Sequence, residues 1–249
     1  MKRFTILVLV ILVIPGSFQM GLHAQAEKTT LSQALIARDA GDASALQNAI
    51  DSARVQTAQH ATSESYANLA LLDAWMCEIT HDHSDDKLVK QAAESGVSAA
   101  ENAVRLNPDS SEAHALLGDL LGQLIPHVFG GGVRYGARST NELNKAIELD
   151  PRNAAAYVSR ATSYYFTPAM FGGDKQKAVE MLQKAIELDP ASDTADTAHI
   201  WLAQIYSDEG KHEEAARESK EALRLNPRRR FAQFVAQEIA SGKNLLGSN

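Results

Sequence analysis

Thr197–Pro227 reads TAHIWLAQIYSDEGKHEEAARESKEALRLNP, and its spacing decides the fold class. Small and apolar residues return every three or four positions, at Leu202, Ala203 and Tyr206 and again at Ala215, Ala222 and Leu225, the period of a buried helical face. Gly210 stands between the two runs, where a helix can stop. Pro227 ends the second run because its ring cannot continue a helix. The expectation is two helices folded against each other, with Ala203 and Ala215 as the small residues at their close approach.

The closing words of this stretch recur. Arg-Leu-Asn-Pro occupies 105–108 and 224–227, and Glu-Leu-Asp-Pro occupies 148–151 and 187–190. Five residues before each proline stands an alanine (Ala103, Ala146, Ala185, Ala222), and two before it a leucine (Leu106, Leu149, Leu188, Leu225). Alanine and leucine are three apart, one turn on one helical face. The opening words recur too, as Tyr157-x2-Arg160-Ala161-x2-Tyr164, His114-x2-Leu117-Gly118-x2-Leu121 and, most weakly, Tyr66-x2-Leu69-Ala70-x2-Asp73.

These phrases resemble the tetratricopeptide repeat, with units at 63–110, 111–153, 154–192 and 196–229; His199 and Ser219 depart from the bulky apolar residues of that pattern. The resemblance implies an all-α, right-handed superhelical solenoid of antiparallel helix pairs whose first helices line a concave surface that holds a peptide or protein. Residues 27–62 read as a capping helix pair, Thr30 to Ala40 and Ala43 to Gln59, broken at Gly41-Asp42. Residues 230–249 read as a capping helix and tail, with Phe231, Phe234, Val235 and Ile239 as the helix's apolar side.

Met1-Lys2-Arg3, the apolar run Phe4 to Ile14, a break near Pro15-Gly16 and Ala24-Gln25-Ala26 together make a cleavable signal peptide ending at Ala26, hence a periplasmic or secreted protein. The alternative is an uncleaved anchor, although the run is shorter than the ~20 residues of a membrane span. Removing the signal takes the formal charge from −7 to −9. So acidic a chain is a poor binder of nucleic acid or anionic lipid. One cysteine, Cys77, excludes an internal disulfide.

The units are unequal. From the close-approach residue to the terminating proline is 24 residues in the last unit but 29, 33 and 38 going upstream, and the excess is expected in loops between the paired helices. Two of these loops share a phrase, Pro126-His127-Val128-Phe129-Gly130-Gly131 and Pro168-Ala169-Met170-Phe171-Gly172-Gly173, with second helices expected near Arg138 and at Asp174. Either Phe129 and Phe171 tuck back to plug the helix ends, or Val128, Phe129, Met170 and Phe171 form an apolar ridge for a partner.

Chemistry is thinly represented. His81-Asp82-His83-Ser84-Asp85-Asp86 offers metal ligands, but the i, i+2 spacing in a loop fixes no geometry, and a solvated loop is the plainer reading. Gly130 to Gly136 lacks the strand and the Lys-Ser/Thr of a phosphate loop. No nucleophile motif is present, and His114 and His199 fall on inward positions as core filling. Neither a cofactor nor a metal is expected, and no enzyme.

The resemblance places Leu71, Ala74 and Trp75, then Ala115, Asp119 and Gly122, then Val158, Thr162 and Tyr165, then Ile200, Gln204 and Ser207 on the concave side. Trp75, Asp119, Tyr165 and Gln204, with Phe129, Met170 and Phe171 on the loops, are the expected partner-binding residues of a protein-interaction adaptor. No base stands among the concave positions, so the clamp that some relatives close on a peptide carboxylate is not recognisable. A second reading is a ligand-capturing helper of a transport system, since Gly172-Gly173-Asp174 also resembles the periplasmic T component of TRAP-type transporters; a deep closed cavity is expected there, an open groove for the adaptor.

Overall fold

The computed structural model describes residues 16–81 and 86–242, and among these every regular element is helical. Eleven α-helices follow one another: α1 (Gly16–Ala40), α2 (Ala43–Gln59), α3 (Ser63–His81), α4 (Asp86–Leu106), α5 (Ser111–Leu124), α6 (Gly131–Leu149), α7 (Ala154–Phe166), α8 (Lys175–Leu188), α9 (Asp193–Asp208), α10 (His212–Leu225) and α11 (Arg230–Ala240). Short polar side chains start many of them. Asp42, Ser110, Asn153, Asp174 and Ser192 each accept a hydrogen bond from the amide three residues on, satisfying a donor that the first turn leaves open.

Consecutive helices pack as antiparallel pairs. Ser63 at the start of α3 donates to the carbonyl of Ala103 at the end of α4 (2.9 Å), and Ser111 at the start of α5 does the same to Ala146 of α6 (2.8 Å). Ala103, Ala146, Ala185 and Ala222 are all buried, as are the close-approach residues Ala70, Gly118, Ala161 and Ala203. A Cβ on Gly118 would stand 2.6 Å from Leu143, so α5 and α6 meet closer than any side chain allows. The leucines before the prolines do not share this burial: Leu149, Leu188 and Leu225 are half-buried and Leu106 is exposed. Three residues turn a helix by about 300°, so each leucine is rotated about 60° away from its alanine, onto the lip of the stack.

Extra length upstream is divided between loops and helices. Residues 167–174 separate α7 from α8 and residues 125–130 separate α5 from α6, where only 209–211 separate α9 from α10, and the rest lengthens the helices. The first repeat pair has helices of 19 and 21 residues where the last has 16 and 14. Similarly α6 begins at Gly131, well before Arg138, because nothing after Gly130 interrupts helical hydrogen bonding. At Asp174 the expected start holds, the carboxylate capping α8. A helix pair precedes the first repeat, but α1 starts at Gly16, far ahead of Thr30. The whole apolar run, Phe4 to Ile14, lies outside the described residues, as do Asp82 to Asp85 of the histidine-rich stretch and the tail after Gly242.

First helices of successive pairs touch one another, α1 to α3, α3 to α5, α5 to α7, α7 to α9 and α9 to α11, so they line the inside of the curve. The curve closes. Arg38 near the end of α1 bonds Asp193 at the start of α9, Asn226 donates to Asp39 (2.9 Å), and Arg229 before α11 reaches Glu78 on α3. An array whose units would touch only their neighbours is here joined end to end.

Candidate interaction surfaces

The turn from α5 to α6 and the turn from α7 to α8 are each pinned by a pair of glycines. Gly130 and Gly172 take φ of +70° and +92°, conformations that side chains resist. Beside them, a Cβ on Gly131 would fall 2.3 Å from the Ile125 carbonyl oxygen, and one on Gly173 would fall 1.6 Å from that of Thr167. Backbone therefore fills the space over the helix ends, and no ring can enter it. Phe129 is 105% exposed, Val133 95%, Met170 84% and Phe171 74%. The two phenylalanines are not plugs, and only Val128 of the four ridge residues is partly covered. Phe166 continues the apolar surface, meeting Tyr165 and Trp201 edge-on at 5.1 and 5.8 Å.

The inner wall is less open than the spacing implies. Gln204 is buried and turns its amide back toward the Ile200 carbonyl, while Ile200 and Ala203 pack against Ala232, Val235 and Ile239 of α11. The final helix thus covers Ile200, and Gln204 itself is buried where a partner was expected to meet it. Trp75 is half-buried with the Arg38 guanidinium 4.9 Å above its ring. Tyr165 donates its hydroxyl to Asp208 and carries Lys175 over its face at 5.0 Å; burial, and then the Asp208 carboxylate, pushes its pKa up. Asp119 accepts from Gln123 (2.6 Å), and burial raises its pKa against the pull of the Gln123 and Ser159 hydrogen bonds.

Two arginines from the caps supply the bases that the concave positions lack. Arg38 grips both oxygens of Asp193 (2.6 and 2.5 Å) and one of Asp39 (2.7 Å). Burial alone would lower its pKa, but the Asp193 hydrogen bond reverses the direction. Arg229, 1% exposed, donates to Asp196 (2.6 Å), Thr197 (2.9 Å) and Glu78 (2.8 Å). Burial raises the pKa of Asp196, with Arg229 opposing; in Asp193 the pull of Arg38 outweighs burial and lowers it. Neither arginine announces itself in the sequence, because Asp193 lies 155 positions from Arg38, and Glu78 and Asp196 lie 151 and 33 from Arg229, with no periodic relation to the repeats. A cleft of about 500 Å³ runs along this seam, lined by Leu35, Asp39, Asp193, Asp196, Leu225 and Pro227 among others. It is bordered by charge, unlike the deep closed cavity of a ligand carrier.

The remaining candidates for chemistry are held by structure. His114 bonds Glu142 (2.6 Å) and the Pro108 carbonyl (2.9 Å), and His199 bonds Glu218 (2.7 Å), so each ties together the two helices of its unit rather than merely filling the core. Cys77 is buried and donates weakly to the Val89 carbonyl; burial pushes its thiol pKa up, away from nucleophile behaviour. Among the described residues no three His, Cys, Asp or Glu side chains converge as metal ligands.

Comparison with known proteins agrees with this geometry. No curated protein matches the chain. Among solved structures, the fold is similar to TTC0263, a thermophilic TPR protein in Thermus thermophilus, at a TM-score of 0.61 and 18% identity over 87% of this chain and 98% of that one. MamA aligns at a TM-score of 0.42 and 20% identity over 77% of this chain and 92% of its own. YrrB, a TPR protein with an unusual peptide-binding site, aligns at 0.44 and 15% over 79% and 93%. Residues 169–192 and 197–229 match the tetratricopeptide repeat family, so α8, α9 and α10 carry its sequence and the chain as a whole has the fold of a tetratricopeptide-repeat protein.

Proposed function

We propose that the chain is a non-enzymatic protein-interaction scaffold of the cell envelope, holding a protein partner against the edge formed by its two Phe-Gly-Gly loops. The observation that carries this reading is the exposure of Phe129, Val133, Met170 and Phe171 on glycine-pinned turns of adjacent units. Large apolar side chains held in water lose the free energy that their burial would release, about 1.5–3 kcal/mol each, and a partner that covers them recovers it. The repeat fold suits the role, since stacked helix pairs offer an extended rigid surface.

Placement in the envelope rests on the Met1 to Ala26 pattern. It is compatible with the packing of α1: among its described side chains, residues 23–40, the buried ones are Thr30, Ala34, Ala37 and Arg38, all after Ala26. N-terminal sequencing of protein recovered from the producing cell tests this, and the expected first residue is Glu27.

For the edge, pull-down from an envelope extract compares wild type with Phe129→Ala/Phe171→Ala. The double variant should keep its melting temperature, since a change at exposed positions typically moves stability by less than about 0.5 kcal/mol, and should lose a partner that wild type retains. Full recovery of every partner by a stably folded double variant overturns the reading.

A further inference from the structure

The closing seam holds more carboxylate than its own arginines neutralise. Asp39, Glu78, Asp193 and Asp196 surround two guanidinium groups, Arg38 and Arg229. Asp119 lies close enough to Glu78 for the two charges to be felt together. Four carboxylates against Arg38, Arg229 and Arg228, which also lines the cleft, leave one net negative charge at the seam itself, before Asp119 is added.

The cleft of about 500 Å³ is lined by three of these carboxylates, Asp39, Asp193 and the buried Asp196. Its other walls are Leu35, Leu225 and Pro227, with Ser192 and Asn226 between and Arg228 at the edge. One lining atom has no partner: Asp196 is fully buried, its Oδ2 is taken by Arg229, and its Oδ1 accepts no hydrogen bond. A buried carboxylate oxygen without a donor is costly to keep. Carboxylates at the base and aliphatic walls above match the two halves of an arginine or lysine side chain, a charged head on an apolar stem. The chain already fills equivalent positions with arginines of its own. Arg38 shows the geometry, forked onto Asp193 with its other face over Trp75.

We propose that the seam cleft is a binding site for a cationic side chain, an arginine or lysine presented by a basic peptide segment of a partner, with the Asp196 Oδ1 atom and Asp193 as acceptors and Leu35, Leu225 and Pro227 around the stem. This site is separate from the Phe-Gly-Gly edge and stands independently of it.

Fluorescence anisotropy with labelled hexa-arginine tests the site on the full chain, with hexaglutamate and free arginine as the other probes. Hexa-arginine should bind saturably and weaken with salt, hexaglutamate should not bind, and free arginine should compete only at far higher concentration. Asp196→Asn keeps an oxygen for Arg229 but puts an amide where the bare acceptor stood. Leu225→Trp leaves every carboxylate in place and fills the cleft. Each should weaken hexa-arginine by about tenfold or more, the loss of a charge-assisted hydrogen bond or of access, and if Asp196→Asn does not fold, Leu225→Trp decides alone. Phe129→Ala/Phe171→Ala should bind hexa-arginine as wild type does, which separates failure of this site from failure of the edge. Absence of binding at low salt, equal binding to a folded Leu225→Trp variant, or free arginine binding as tightly as the peptide overturns the proposal; the last would make the occupant a small free cation.

Discussion

Asp73 shows what a single residue in the stack costs. It sits at a position of α3 that faces α4, buried, with the Ser95 hydroxyl at 2.8 Å and the Arg54 guanidinium only at 3.9 Å. Burial pushes its pKa up to about 6, and those two partners offset only part of the effect. The folded state therefore binds the proton more tightly than the unfolded chain, so stability is fullest below about pH 4 and falls as pH rises toward 6. Asp73→Asn keeps an oxygen for Ser95 and removes the charge. It should raise stability at pH 7.5 by about 1–2 kcal/mol, with the difference vanishing near pH 4, as denaturant melts across that range will read. Other single residues were readable from spacing alone. The buried alanines five before each proline follow from helical period, because a small residue in phase with its neighbours has one place to go. Gln204 had the same kind of signal and ended up buried, its amide turned to the Ile200 carbonyl, beside residues that α11 covers, and nothing near residue 204 encodes that.

At the scale of the element, glycines decide where α6 begins. Gly131 and Gly132 are neighbours in one helix, yet a Cβ on the first would strike the Ile125 carbonyl while one on the second meets nothing. Gly131→Ala should cost about 1–3 kcal/mol through forced backbone shift, whereas Gly132→Ala should add about 0.4–1 kcal/mol by narrowing the unfolded ensemble. Thermal melts of the two variants check both signs at once. The same glycines explain why the phenylalanine loops were only half readable. Pro-x-x-Phe-Gly-Gly marks a turn, but whether the ring tucks under or stands out depends on where backbone lies over the helix end, and that is a three-dimensional fact. Upstream lengthening was visible as a count of residues; the Pro-x-x-Phe-Gly-Gly phrases mark the part that stays in the turns, whereas the part that became extra helical turns in α3, α4 and α6 was not readable, because no proline there forces a loop.

For the whole molecule, the decisive contacts are those between α1, α3, α9 and the start of α11. Buried ion pairs give little net stability when complete, because desolvation cancels most of the attraction. Removing one partner is a different matter. Arg229→Met strands Asp196 and Glu78 and should cost about 3–5 kcal/mol, and small-angle scattering should show a larger radius as the ends separate. None of this was visible in the sequence. Repeats are read from local period, whereas Arg38 and Asp193 are joined across 155 positions with no periodic relation between them.

Those joined ends bear on how the protein breathes. A stack held only by neighbour contacts frays from its termini, so its outer helices exchange amide hydrogens first and its middle last. With α1 fastened to α9 and α11 seated beside it, the weakest opening has no terminus to start from. Exchange should instead reveal α1, α9 and α11 opening together as one unit, and Arg229→Met should restore the graded, end-to-middle pattern.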